Sequence, residues 1–181
     1  MQKISALTIR GNGRMASINC KVGISIPFMG DPSTQRGLVM KQFNGVWDTG
    51  ATNSVITKEV AEVLQLKPTG QTEIHTANGA CIKNTYLVNI FLPSNVVLPH
   101  VRVTEGELGG IQMLIGMDVI TIGDFSITNF EDKTTMSFRL PSCGEVDFVP
   151  EADEKNEKDL LIGMNRHQKR AYETQKRKHK K

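Results

Sequence analysis

The stretch WDTGAT, residues 47–52, places a single carboxylate between a strand-like apolar run and a turn. Asp48 is followed by Gly50, and Thr49 and Thr52 supply nearby hydroxyls. A carboxylate at the point where a strand leaves the core must share a proton or find hydrogen-bond donors, because burial disfavours its charged form. The other interpretation is a surface turn capped by the aspartate, since Asp, Thr and Gly are ordinary turn residues.

The size and charge of the chain limit the functions it can have. With 181 residues, of which 39% are hydrophobic and 6% aromatic, it is long enough for one core but short for two. Residues 164–181 contain eight Lys or Arg and one acid, whereas residues 1–163 contain 14 bases and 18 acids. Composition shifts at Pro150, which predicts one domain over 1–148 and a charged, flexible or helical tail over 149–181.

The cysteines favour a reducing compartment. Cys20, Cys81 and Cys143 are odd in number, widely spaced and without metal-ligand spacing, so we expect no metal and no cofactor. The N-terminal residues lack the apolar core of a signal peptide, and no window approaches the roughly 18 apolar residues of a membrane span. These patterns predict a soluble, cytoplasmic protein.

Alternation of apolar and polar residues predicts a mostly β fold. Residues 18–28 place six apolar side chains on one face of a long strand. Asn12-Gly13 predicts a hairpin in which residues 6–9 pair with that strand, and Asn78-Gly79 predicts a second hairpin tip. Further strands are expected from Tyr86 to Leu92 and on both sides of the polar turn 131–133.

One or two short helices interrupt this pattern. Thr57 is placed to cap a helix of about two to three turns that ends before residues 67–70. Its apolar face carries Val60, Val63 and Leu64. A second helical turn is expected after Gly116, between two apolar strands.

Three motifs together carry a family resemblance. DTGA begins at Asp48, TANGA at Thr76 and LIGMDVITIGDFSI at Leu114. Their order and spacing resemble those of the retropepsin-like aspartic proteases, of the cellular or bacterial type, over about residues 15–140. The resemblance implies a mostly β, closed β-barrel of the acid protease fold with one lobe per chain.

The resemblance also implies the chemistry. Aspartic proteases hydrolyse peptide bonds with two carboxylates that share one proton, and the apparent pKa values belong to the pair. This chain has one Asp-Thr-Gly motif, so Asp48 would meet the Asp48 of a second copy in a homodimer. The expected activity is that of an aspartic endopeptidase acting on extended peptide or protein segments.

Other residues receive roles by motif position. Thr49 would bond across the dimer axis, while Gly50 and Ala51 would let the backbone approach and bind the peptide. Gly116 and Asp118 would support the acid loop from behind. A flap that closes over the substrate would contain Thr76, Ala77, Asn78 and Gly79.

Two departures from the viral members leave other functions open. Viral members carry an ion pair where this chain has Thr52 and Met117, so that contribution to dimer stability is missing. One alternative is therefore a catalytically weak or inactive module of the same fold that binds peptides or proteins. Another concerns the basic residues 164–181, which could make a weak contact with nucleic acid through phosphates.

Overall fold

The computed structural model describes residues 3–28, 39–76 and 79–179. The chain divides into two units, residues 1–143 and residues 144–181. The first unit contains ten strands and two short α-helices among its described residues. The strands are β1 Ser5–Arg10, β2 Ile18–Ser25, β3 Met40–Trp47, β4 Val55–Thr57, β5 Gly70–Thr76, β6 Gly79–Leu92, β7 Val96–Gly106, β8 Met113–Ile115, β9 Asp124–Thr128 and β10 Thr135–Leu140. The helices are α1 Lys58–Val63 and α2 Met117–Ile120.

Six of the strands close into a barrel. Their order is β2, β3, β8, β4, β7 and β6, and β6 pairs back on β2 through Gly23 and Phe91, Ile24 and Ile90, and Ser25 and Asn89. The strand β5 lies outside this circuit and pairs with β6. The predicted mostly β, closed-barrel architecture is confirmed.

A separate sheet has the order β1, β10, β9. The predicted hairpin between residues 6–9 and β2 is wrong, because Ser5–Arg10 pairs antiparallel with Thr135–Leu140. The Asn12-Gly13 turn instead bonds to the start of β10, where the Gly11 amide donates to the Thr134 carbonyl at 2.8 Å. This distant pairing buries Leu7 to 2% exposure, a gain that the local turn signal does not reveal.

Alternation correctly identifies most of the barrel core. Val22 and Ile24 of β2 are fully buried, as are Val88 and Ile90 of β6. The expected apolar face of the first strand does not extend to Ile26, which is 48% exposed because β2 ends at Ser25. The predicted turn at 131–133 does join two antiparallel strands, β9 and β10.

Trp47 connects the barrel to the separate sheet. Its side chain is 6% exposed, and its ring lies 5.5 Å from that of Phe125 in β9 and 5.2 Å from that of Phe138 in β10. Aromatic pairs at these separations contribute beyond the area they bury. The strand end that precedes Asp48 is therefore held in a packed core.

The helix α1 follows its prediction in part. Val60 and Leu64 are buried, but Val63 is 39% exposed and does not belong to the inner face. Thr57 occupies the N-cap position with extended backbone angles, yet its side chain makes no cap hydrogen bond. Packing of two apolar residues, without a side-chain cap, accounts for the position of this short helix.

The unit 144–181 consists of two helices, α3 Phe148–Ile162 and α4 Arg166–His179. Asn165 begins α4 with a capping box, because its side chain accepts from the His167 and Gln168 amides while Gln168 bonds back to the Asn165 amide. Lys176 of α4 forms an ion pair with Glu157 of α3. Among the described residues, no helix is long and apolar enough to cross a bilayer.

Candidate active site

The acid loop, residues 48–54, connects β3 to β4. The two strands lie on opposite sides of β8, which runs parallel to β3 and antiparallel to β4. Leu114 of β8 is the register partner of both Val46 and Val55. The loop thus leaves and re-enters the barrel on either side of one short strand, which fixes both of its ends.

Asp48 lies at the beginning of this loop and is half-buried. Its amide donates to the Ile115 carbonyl at 2.9 Å, which ties the residue to the end of β8. Its carboxylate Oδ1 accepts from the Gly50 amide at 2.8 Å. Thr49 and Gly50 are exposed, so the carboxylate and the residues that follow it face outward from the barrel.

The segment 116–118 supports the loop from behind. The Met117 amide donates to the Ala51 carbonyl at 2.8 Å, and the Asp118 amide donates to the Thr52 carbonyl at 3.1 Å. A Cβ on Gly116 would lie 2.7 Å from the carbonyl carbon and oxygen of Asn53. Only glycine allows this approach, since the obstructing atoms are backbone.

Ser54 is a supporting residue that the motif analysis did not single out. It is fully buried; its hydroxyl donates to Asp118 Oδ1 at 2.8 Å and accepts from the Gly116 amide at 3.1 Å. Its position two residues before the buried Ile56 is only a weak sequence signal, because Ser54 precedes β4 and belongs to the loop. A polar residue on a buried face must be hydrogen-bonded, which marks it as part of a specific contact.

A groove of about 230 Å³ opens beside the acid loop. Asp48 and Thr49 line it together with Phe125 and Ile127 of β9 and the segment 15–18. Asp48 is the only ionisable residue among its described lining residues. Among the described residues of one chain, the carboxylate therefore has no acid partner in this groove.

A larger cavity of about 560 Å³ lies between the loop and the β5–β6 hairpin. Asn53 of the loop and Asp118 of α2 line it on one side, and Glu73 and Arg102 line it from β5 and β7. The Arg102 guanidinium lies 3.4 Å from the Thr85 hydroxyl. The lining is mixed, and apolar residues such as Ile74 also contribute to it.

The hairpin expected to form a flap is present as the antiparallel pair β5 and β6. Register pairs run from Gly70 and Thr85 to Thr76 and Gly79. Of the four residues assigned to the flap, Ala77 and Asn78 lie outside the described residues. The exposed part of the hairpin includes Ile82, which is 69% exposed.

The Cys20 thiol is partly buried, and its pKa is shifted. Burial raises the pKa of the Cys20 thiol, and the neighbouring Trp47 side chain lowers it to a smaller extent. A raised pKa keeps the thiol protonated and unreactive near neutral pH. Across residues 3–28, 39–76 and 79–179, no group of three or more His, Cys, Asp or Glu side chains is arranged to hold a metal ion.

Comparison with known proteins identifies the segment that contains the acid loop. Residues 40–121 match the family model described as "gag-polyprotein putative aspartyl protease". Residues 40–121 are retropepsin-like. The match includes the acid loop, the hairpin and the support segment 116–118, and it confirms the family recognised from the sequence motifs.

Solved structures similar to this chain are also retropepsin-like. They include a retropepsin-like aspartic protease from Rickettsia conorii, with a TM-score of 0.46 and 14% identity over 77% of this chain and 98% of that one. The Simian Foamy Virus (mac) protease matches with a TM-score of 0.38 and 15% identity, over 57% and 92% of the two chains. The retroviral protease-like domain of Ddi1 from Leishmania major has a TM-score of 0.35 and 16% identity, over 59% and 78%. No curated protein matches the sequence.

Proposed function

We propose that this protein is a homodimeric aspartic endopeptidase in which Asp48 of each copy supplies one carboxylate of a catalytic dyad. The observation that carries the proposal is the setting of Asp48: a half-buried carboxylate, held by the Gly50 amide at 2.8 Å, in a loop fixed on both sides of β8. The family match over residues 40–121 supports the same chemistry.

In the proposed reaction, one carboxylate takes a proton from water while the other, protonated, donates to the peptide carbonyl oxygen. The water oxygen bonds to the carbonyl carbon and forms a tetrahedral diol. Collapse of the diol breaks the C–N bond as the leaving nitrogen is protonated, which yields a carboxylic acid and an amine. No covalent enzyme intermediate forms.

The second carboxylate has to come from another chain. Asp48 has no acid partner among the described residues that line its groove, and a two-fold axis beside the loop would bring in an identical carboxylate. Thr49, which is exposed beside Asp48, is the residue we place across the axis to orient the facing loop. In an isolated chain, Thr49 would serve only as a turn residue.

The loop backbone would bind substrate as an added strand. The Ala51 carbonyl already accepts the Met117 amide, so we assign the Gly50 carbonyl as an acceptor for a peptide amide. The cavity of about 560 Å³ beside Asn53 gives room for substrate side chains under the β5–β6 hairpin. We assign the flap to the end of that hairpin, at Thr76 and Gly79, together with Ala77 and Asn78, which lie outside the described residues.

Substitution of the acid tests the proposal. Asp48→Asn keeps the shape of the side chain but cannot act as a base, so cleavage of an unstructured protein should be lost while the unfolding transition is retained. Asp153→Asn, an exposed acid in α3, is the matched control and should cleave normally. A pepstatin-like inhibitor should compete with substrate. Undiminished turnover by purified Asp48→Asn would reject the mechanism.

A peptide-binding module without useful turnover is the second candidate. Thr52 and Met117 are uncharged, so the ion pair that supports dimers of viral members is missing here. Sedimentation over a concentration series separates the two functions. A chain that binds peptides but stays monomeric throughout the micromolar range could not assemble the dyad.

The cellular setting is part of the proposal. Cys20, Cys81 and Cys143 are free thiols, which supports a cytoplasmic, reducing location. For the basic segment 164–181 we propose at most a weak nucleic-acid contact, because Lys176 already pairs with Glu157. Binding that survives deletion of residues 164–181 would remove that idea.

A further inference from the structure

The cavity of about 560 Å³ shares a wall with the acid loop. Asn53, near the end of the loop, lines the cavity, and the carbonyl of the next residue, Ser54, accepts the Thr104 amide of β7 at 3.0 Å. In α2, the Asp118 amide donates to the Thr52 carbonyl at 3.1 Å. The loop is thus attached to two walls of the cavity. Because an extended peptide alternates its side chains between two faces, a strand bound along the loop would direct a side chain into the cavity.

Arg102 of β7 brings a positive charge into the cavity. Its guanidinium lies 3.4 Å from the Thr85 hydroxyl, and a Cβ on Gly70 would lie 3.7 Å from its Nη2. The side chain therefore reaches across β6 to the start of β5. Among the residues that the structure describes, Arg102 forms no ion pair. A guanidinium carries five N–H donors, so it can bind a carboxylate through two parallel hydrogen bonds.

Two other ionisable residues of the cavity are engaged in contacts within the chain. Asp118 Oδ1 accepts from the Ser54 hydroxyl at 2.8 Å and from the Val119 amide at 3.0 Å. The Nε2 atom of His100 lies 3.2 Å from the Phe28 carbonyl oxygen. Neither side chain is directed at the guanidinium of β7.

Strand register separates Glu73, the remaining acid of the cavity lining, from Arg102. On β6, the partner of Glu73 is Ile82 and the partner of Arg102 is Leu87, so the two backbones lie about 17 Å apart along the strand direction. Glu73 is exposed, and together with Gln71 and Ile82 it also lines a separate groove. The end of the cavity that contains Arg102 is therefore positively charged.

We infer that this cavity selects peptides that carry an acidic side chain, Asp or Glu, whose carboxylate binds the Arg102 guanidinium. The inference rests on the proposed function, because it takes the acid loop as the peptide-binding site. A planar guanidinium matches a carboxylate in shape as well as charge, and the Thr85 hydroxyl, in a residue only 2% exposed, lies beside it. Ile74 and Val119 supply apolar surface for the stem of the bound side chain.

Discrimination against other side chains follows from the same charge. A neutral side chain would leave the guanidinium without its partner, and a lysine would bring a like charge next to it. The expected substrates are therefore extended segments with an acidic residue at one fixed distance from the cleaved bond.

Binding to an inactive variant tests the pocket apart from catalysis. Fluorescence anisotropy measures the affinity of Asp48→Asn protein for labelled peptides of one extended apolar sequence, in which each position in turn carries Glu, Gln or Lys. At one position the Glu peptide should bind about tenfold more tightly than the Gln peptide, because it gains a charged hydrogen bond. The Lys peptide should bind most weakly there. Equal affinities at every position, or no measurable binding, would overturn the inference.

Substitution of Arg102 shows whether this residue makes the selection. In the same Asp48→Asn background, Arg102→Gln should bind the Glu and Gln peptides equally, and Arg102→Glu should favour the Lys peptide. Arg10→Gln removes an exposed arginine of β1 outside the cavity and should keep the full preference for Glu. Since both arginines are exposed, urea unfolding should show that all three variants remain folded. A preference for Glu that survives in folded Arg102→Gln would contradict the role of Arg102.

Cleavage of the same peptides by wild-type protein separates the inference from the proposed function. The Glu peptide should have the higher kcat/KM, by the factor found in binding. A chain that binds the Glu peptide through Arg102 but cleaves none of the peptides keeps the pocket and overturns the proposed peptidase. A chain that needs Asp48 for cleavage but does not distinguish Glu from Gln overturns the pocket alone.

Discussion

Ser54 donates its hydroxyl proton to Asp118 at 2.8 Å, although the two residues are 64 positions apart in sequence. One belongs to the loop that carries Asp48, and the other lies in the first turn of the helix α2 behind it. The Gly116 amide completes the contact by donating to the same hydroxyl at 3.1 Å. The position of the proposed catalytic carboxylate therefore depends on a buried polar contact as well as on the two strands.

Removing the Ser54 hydroxyl should destabilise the fold. Ser54→Ala leaves the Gly116 amide without its acceptor in a fully buried position, which costs about 1–3 kcal/mol. Urea unfolding measures the change. Thr8→Ala removes a hydroxyl from the exposed Thr8–Ser137 pair and should change stability by less than about 0.5 kcal/mol. Equal effects of the two substitutions would show that the buried contact is not needed.

Adding a methyl group at Gly116 should displace the acid loop. Its Cβ would lie 2.7 Å from the Asn53 carbonyl oxygen and 2.9 Å from that of Ala51, so the backbone must move. We expect Gly116→Ala to lose about 1–3 kcal/mol of stability and most of the proposed peptidase activity. Gly109→Ala is the control, because no atom lies within 4 Å of its Cβ position. Wild-type turnover by Gly116→Ala would contradict this role.

The parts of the fold that follow from sequence are those encoded by local periodicity. The alternation in Tyr86–Leu92 predicts a strand with a buried face, and those side chains are buried. The strand that pairs with β1 could not be predicted from local periodicity. Its Thr8 bonds to Ser137, 129 residues away, whereas the Asn12-Gly13 turn signal concerns only its neighbours. Long-range burial of Leu7 outweighs that local preference.

The candidate site, like the fold, could be predicted from the sequence only in part. Motif order was sufficient to place Asp48 and Gly116 in one cluster, because the motifs encode the strand and turn on which each residue lies. Ser54 was overlooked, since its importance comes from burial against a distant helix. The second carboxylate that the proposed dyad requires would come from another chain, so the fold of one chain carries no signal for it.

Acid should weaken the attachment of β9 to the end of β10. The Ser142 hydroxyl, the Cys143 amide and the Arg139 guanidinium lower the pKa of Asp124 from 3.8 to about 2. Because the folded-state pKa is the lower one, the carboxylate stabilises the fold above pH 4 and this contribution is lost as the pH falls toward 2. The stability difference between wild type and Asp124→Asn, measured by urea unfolding, should shrink from pH 6 to pH 2.5. A difference independent of pH would contradict the assignment.

Trp47 should report on events at the acid loop. It is the only tryptophan in the sequence, it precedes Asp48, and its ring lies 5.5 Å from that of Phe125 and 5.2 Å from that of Phe138. Binding of a pepstatin-like inhibitor should therefore change the tryptophan emission, with the same midpoint as inhibition of cleavage. An emission spectrum unchanged at saturating inhibitor would place the binding site elsewhere.

The dyad makes a direct prediction for mixed subunits. When inactive Asp48→Asn is added to a fixed amount of wild-type protein and the subunits are allowed to exchange, mixed dimers contain one acid and cannot share a proton across the axis. Total activity should fall below that of the wild-type protein alone, and continue to fall as more variant is added. Activity that stays constant at every ratio, with mixed dimers demonstrably present, would mean that one Asp48 is sufficient and would contradict the central claim.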